Sequence, residues 1–150
     1  MNLLFDTNIL IFLTKNLRSK QISKALNPEN QNVYISVVTV AELKSIALQN
    51  NWGSTKSQIL HELLEDMTII EVNESLINIY AEIDAFSQCK SLAYPSRTFS
   101  TPRNMGKNDL WIASTVALLG LKLVTTDNDF NHLHQVFIEV QNIKPEIFKG

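Results

Sequence analysis

Apolar positions along the chain follow two alternating rhythms. Leu3-Leu4-Phe5 is a short, wholly apolar run stopped by Asp6, the pattern of a strand buried on both faces in a parallel sheet. Ile9, Leu10, Phe12 and Leu13 then recur at helical spacing. Val33-Tyr34-Ile35-Ser36 predicts a second strand, with a helix from about Val40 to Gln49 and a break at Asn51-Trp52-Gly53-Ser54. Ile59, Leu60, Leu63 and Leu64 make an amphipathic stripe within Ser57–Asp66, and Thr68 to Val72 predicts a third strand. Asn73 suits the N-cap of a helix carrying Leu76, Ile77, Tyr80, Ile83 and Phe86. Ser91–Lys107 holds Pro95, Pro102 and Gly106 without periodicity and is expected to be a loop, long for a compact domain. Asn108 is expected to cap a helix from Asp109 to Leu119, ended by Gly120. Leu121–Thr125 and Phe137–Val140 complete five strands. Strands that alternate with helices predict an α/β fold around a mostly parallel sheet.

Length and composition add bounds. The 150 residues, 45% hydrophobic and 19% charged, suit one globular domain spanning 1–150. No apolar run reaches the roughly 18 residues of a membrane span, and no basic leader precedes Asp6. A lone Cys89 has no internal disulfide partner, which suits a cytoplasmic location. The formal charge of −2 hides a segregation. Thr7–Pro28 carries Lys15, Arg18, Lys20 and Lys24 with no acid, and Ala85–Asn108 carries Lys90, Arg97, Arg103 and Lys107 with no acid. Those stretches total +8, leaving five cations against all 15 acids, −10, for the rest. The sum therefore does not exclude a nucleic-acid partner, whose phosphates such basic stretches attract.

Ligands of open parallel sheets bind beyond the carboxyl ends of the strands, so acids near those ends are the candidates for chemistry. Asp6 follows the first strand directly. Glu42 lies six residues past Ser36, in the expected first turn of the next helix. Asp109 opens the helix before the fourth strand, and Asp127 and Asp129 follow that strand in Thr125-Thr126-Asp127-Asn128-Asp129. Each has a local explanation: Thr39 and Glu42 could form a capping box, Asp109 suits a helix N-terminus, and Asp127 and Asp129 suit a turn. Asp6 has the weakest one. Together, carboxylates from separate segments at one sheet edge call for a neutralising cation, and Mg²⁺ or Mn²⁺ is the expected species for an all-oxygen site. Such a metal activates water for phosphodiester cleavage. His132 and His134 are expected at the surface, His61 on a polar helix face, Trp111 in the core and Trp52 at an exposed break. Cys89 lacks a base partner, and no glycine-rich phosphate loop is present.

Four motifs in register resemble the PIN domain family: Leu-Leu-Phe-Asp6-Thr7-Asn8-Ile-Leu, Ser36-Val-Val-Thr39-Val-Ala-Glu42-Leu, Asn108-Asp109-Leu-Trp-Ile-Ala, and Leu-Val-Thr125-Thr126-Asp127-Asn-Asp129-Phe. Within that family the chain is most similar to VapC-type toxins of bacterial toxin–antitoxin pairs. The resemblance implies a three-layer α/β/α sandwich and a Mg²⁺- or Mn²⁺-dependent endoribonuclease. It implies Asp6, Glu42 and Asp109 as core acids and Asp127 as the fourth, with Asp129 as a replacement or helper. Asn8, Ser36 or Thr39, Asn108, and Thr125 or Thr126 match supporting polar positions. A homodimer, an RNA substrate and a small antitoxin partner are also implied. The basic segment before Asn108 is longer than in many relatives. Arg97, Arg103 and Lys107, with Lys15 and Arg18, are expected to contact RNA phosphates. A haloacid-dehalogenase-type phosphatase would need an acid where Asn8 stands. A receiver domain would need a phosphorylatable Asp where the third strand ends in Glu71-Val72-Asn73. The remaining alternative is a degenerate, non-catalytic module that binds RNA or protein.

Overall fold

A computed structural model describes residues 1–148. Five parallel strands form one sheet: β1 (Leu3–Phe5), β2 (Val33–Ser36), β3 (Thr68–Ile70), β4 (Lys122–Thr125) and β5 (Glu139–Asn142), in the spatial order β3-β2-β1-β4-β5. Six helices connect or follow them: α1 (Thr7–Thr14), α2 (Ser19–Ala25), α3 (Val37–Gln49), α4 (Ser54–Glu65), α5 (Ile77–Ser87) and α6 (Lys107–Leu119). The order reverses between β1 and β4, so a crevice opens beyond their carboxyl ends.

Side-chain alternation along the central strands divides the interior into two cores. Leu3 and Phe5 of β1 and Val124 of β4 face α1, α3 and α4 through Leu10, Leu13, Leu43 and Leu63. Leu4 and Leu123 face α5 and α6 through Ile83, Phe86, Leu110 and Val116. The result is the expected three-layer sandwich, and both faces of β1 are fully covered. That is why this strand reads as a continuous apolar run.

Several boundaries differ from the expectation, each for a local reason. α3 begins at Val37 because Ser36, still at the strand end, accepts a hydrogen bond from Val38 N. Thr39 is thus inside the helix and buried, and the expected Thr39–Glu42 capping box does not form. Asn108 likewise does not cap α6; Gly106 stands there, and Asn108 is an exposed residue of the first turn. β5 starts two residues later than expected, at Glu139, because Phe137 turns into an aromatic cluster. β3 stops at Ile70. α2 was not expected, since Ile22 is its one large apolar residue and sets up no period.

Residues 88–106 form no helix or strand, in accord with the expected loop. The loop is nonetheless pinned. Phe99 is buried edge-on against Phe86, with centroids 5.3 Å apart, and Tyr94 lies against Phe137. Arg103 N donates to Ser87 O across 2.7 Å. Trp111 is half-buried against Tyr80 at 4.3 Å rather than central to the core. Trp52 is half-buried too, with the Lys56 ammonium over its ring.

Gly120 ends α6 with a positive φ of 63°, and a Cβ there would meet nothing within 4 Å. Gly120→Ala should therefore lower stability by about 1 kcal/mol through backbone strain alone, with Gly120→Asn costing less. Urea denaturation measures both, and equal stability of all three proteins would refute the account.

Candidate active site

Asp6 sits where β1 gives way to α1, and it is 3% exposed. Two hydrogen bonds fix its carboxylate: Thr7 N donates to Oδ1 at 2.8 Å and Thr125 Oγ1 donates to Oδ2 at 2.7 Å. The Thr125 hydroxyl also accepts from Asp127 N at 2.9 Å, so one side chain at the end of β4 positions acids of two segments. Glu42 lies on the second turn of α3 rather than the first. Its Oε1 accepts from Thr7 Oγ1 at 2.9 Å, and the same hydroxyl meets Thr39 Oγ1 at 3.0 Å. Thr7 thus joins α1 to α3.

Asp109, Asp127 and Asp129 each offer a carboxylate oxygen, and these oxygens all lie within 4.8 Å of one another. Asp127 Oδ1 also accepts from Asp129 N at 2.9 Å, capping the short 3-10 helix Asn128–Leu133. The turn explanation for Asp127 and its place among the clustered acids therefore hold together.

Crowding shows in the acidities. Burial raises the Asp109 carboxyl to about 7, helped by the charges of Asp6, Asp127, Asp129 and Glu42. Asp6 is raised by burial and by Asp127 and Glu42, against the lowering effect of the Thr125 and Thr7 hydrogen bonds. Asp129 is raised by partial desolvation and by Asp127. Among the described residues no lysine or arginine forms an ion pair with any of the five acids. The donor set is all oxygen, which fits a hard divalent cation.

The other expected residues are distributed unevenly. Ser36 is buried as the α3 cap, and Thr39 is buried against Thr7. Asn8 and Thr126 are half-buried near the acids without a hydrogen bond to them, and Asn108 is exposed. Lys15 and Arg18 are exposed beyond the far end of α1, an eight-residue helix, so about 12 Å of helix separates them from Asp6. Arg97, Arg103 and Lys107 are exposed on or beside the 88–106 loop. His134 is exposed, as expected, and so is His61, which pairs with Glu65. His132 is half-buried rather than fully at the surface: it stacks on Phe86, and its Nε2 lies 2.7 Å from the buried Ser87 hydroxyl. Burial and the Arg103 charge lower it to about 4. Neither Ser87 nor Thr7 carries a local chemical signal in the sequence, although Thr7 stands between Asp6 and Asn8 in the first motif.

The PIN domain model of protein families matches residues 3–135. The chain belongs to the PIN domain family. Ribonuclease VapC1 of Haemophilus influenzae strain R2866 is 28% identical to this PIN domain over 124 residues, 81% of this chain and 84% of that protein. A chain of VapBC-1 from nontypeable Haemophilus influenzae superposes with a TM-score of 0.68 at 26% identity, covering 95% of this chain and 98% of that one. A chain of VapBC2 from Rickettsia felis, solved bound to a promoter DNA fragment, gives a TM-score of 0.74 at 23% identity, with coverage of 95% and 98%, a likeness of fold. No helix among the described residues is long and apolar enough to cross a membrane.

The raised pKa of Asp109 has a sign that can be checked. Its folded value, about 7, exceeds the unfolded value near 3.8, so the native state holds the extra proton between those limits. Without divalent metal its contribution to stability therefore falls as pH rises from about 4 to 7. His132 works oppositely below its ordinary value of 6.5, since its neutral form is the native one. Asp109→Asn isolates the acid: in EDTA, the variant should gain stability relative to wild type between pH 4.5 and 7.5. Parallel pH profiles from urea melts would contradict the crowding described here.

Proposed function

We propose that this PIN domain is a divalent-metal-dependent endoribonuclease and the toxin of a type II toxin–antitoxin pair. The observation that carries the reading is the gathering of Asp6, Asp109, Asp127 and Asp129, with Glu42 beside them, at the β1–β4 switch point without a cationic partner. Mg²⁺ or Mn²⁺ is the cofactor that such a donor set selects. When bound, it supplies an activated water and stabilises the charge of an in-line phosphodiester displacement. Asp6, Asp109 and Asp127 are the acids that hold it, and Asp129 assists at the exposed rim. Asp6 is pre-aimed by Thr125 and the Thr7 amide, and Glu42 by the Thr7 hydroxyl. Asn8, Ser36, Thr39, Asn108 and Thr126 serve the same acids by shaping their surroundings.

RNA approaches across the exposed edge, where Arg97, Arg103 and Lys107 meet backbone phosphates; Lys15 and Arg18 lie further off and contact a longer substrate. The relative named Ribonuclease VapC1 and the likeness to a chain of VapBC-1 support this reading, including an antitoxin partner. The protein acts in the cytoplasm, as a homodimer and as a single domain.

Purified protein freed of antitoxin should cleave RNA with Mg²⁺ or Mn²⁺ and not in EDTA. Asp6→Ala and Asp109→Ala should each lower the rate by about 100-fold or more, since each removes several kcal/mol of charge stabilisation. Asp127→Ala should cost more than Asp129→Ala. Mn²⁺ should raise the Tm of wild type and not of Asp109→Ala, a readout independent of turnover. Undiminished cleavage by both Asp6→Ala and Asp109→Ala would overturn the site. Replacing Arg97, Arg103 and Lys107 by Gln should flatten the salt dependence of RNA binding, and an unchanged slope would remove the loop from the phosphate path.

A further inference from the structure

A cavity of about 550 Å³ opens between the 88–106 loop and the Asn128–Leu133 turn, and Asp129 of the acidic cluster forms part of its wall. We propose that this cavity is a base-binding subsite that accepts one unstacked base of single-stranded RNA, from the nucleotide flanking the cleaved bond. The proposal rests on the nuclease reading for its substrate and on the cavity itself for its specificity.

The chemistry of the lining argues for a base. Phe99 and His132 meet edge to face at 5.3 Å and 81°, so the wall of the cavity is aromatic. The imidazole is held by its stack on Phe86 and through Nε2, which lies 2.7 Å from the Ser87 hydroxyl. The Arg103 guanidinium lies over the Phe99 ring, 5.5 Å from its centroid, so its outer plane can stack on a base while its N–H edge meets a phosphate. Thr98, Asn104 and Asn131 supply uncharged donors and acceptors, the kind of groups that read the edge of a base. A phosphate in the same space would face the Asp129 carboxylate, whereas an exocyclic amino group could donate to it. The volume lies within the range of ordinary small-ligand sites.

The position fixes which nucleotide enters. Asp129 belongs to both the cavity wall and the carboxylate cluster, so a phosphodiester at the cluster places a neighbouring base at the cavity mouth. The loop that closes the cavity is pinned through Phe99 and through Arg103 N to Ser87 O, so the subsite is formed before RNA arrives.

Two measurements on the full chain test this. In the first, a randomised single-stranded RNA library is cut with Mn²⁺, and the base frequencies at each position flanking the cut are read for wild type, Asn104→Ala and Thr98→Trp. Residues 98 and 104 are exposed, so both variants retain the fold. Wild type should prefer one base at a single flanking position, and each variant should weaken that preference by about 5-fold or more, the scale of one stacked base. No preference in wild type, or the same preference in both variants, would overturn the subsite. In the second, fluorescence anisotropy in EDTA compares oligo-A, oligo-C, oligo-U and an abasic ribose-phosphate octamer. Wild type should bind at least one homopolymer about 5-fold more tightly than the abasic chain, and Thr98→Trp should erase the difference. Equal binding of the abasic chain would mean contact with phosphate alone and would overturn the proposal. If wild type cuts no RNA at all, the nuclease reading fails and the anisotropy result alone decides the subsite.

Discussion

Mutual repulsion among carboxylates is the constraint around which this molecule is arranged. Asp6, Asp109, Asp127 and Asp129, with Glu42 nearby, are brought to one sheet edge by four separate segments, and burial, reinforced by the neighbouring charges, pushes Asp109 to about 7. Side chains free to move would swing apart into water. They are held because the backbone beneath them is rigid: β1 is buried on both faces, and the two cores meet across Leu4 and Phe5. The cost of crowding falls on the folded state, and a bound divalent cation would remove it.

Most residues that hold the cluster have a second task. Asp6 caps α1 while facing the crevice, Asp127 caps the turn that carries Asp129, and Thr125 bonds to both Asp6 and the Asp127 amide. The local explanations for these residues are therefore true, and they do not compete with the chemical one. A cap ties an acid to the end of an element, and in a parallel sheet those ends form the crevice. The loop over residues 88–106 follows similar logic, since the aromatic contacts that pin it also build the cavity beside Asp129.

Much of this was legible in the sequence. Strands buried on both faces announce themselves as apolar runs, and their carboxyl ends locate the acids without further information. What the pattern did not carry was tertiary. Ser36 takes the α3 cap because the strand and helix share a residue boundary, which displaced the expected capping box at Thr39. The Thr7 link to Glu42 spans 35 residues, beyond any local pattern. His132 looked like half of an exposed His-Leu-His pair, and its burial depends on a loop whose sequence has no periodicity. The helix Ser19–Ala25 has a single large apolar residue, too few to form a stripe.

The central claim is that the carboxylates gathered beyond β1 and β4 form a divalent-cation site. Anomalous diffraction at the manganese edge, from crystals grown in Mn²⁺, tests it most directly. The account predicts a peak among Asp6, Asp109 and Asp127, with Asp129 at its exposed rim and carboxylate oxygens of the cluster at roughly 2.0–2.6 Å. Full manganese in the medium with no peak at this edge of the sheet would contradict it.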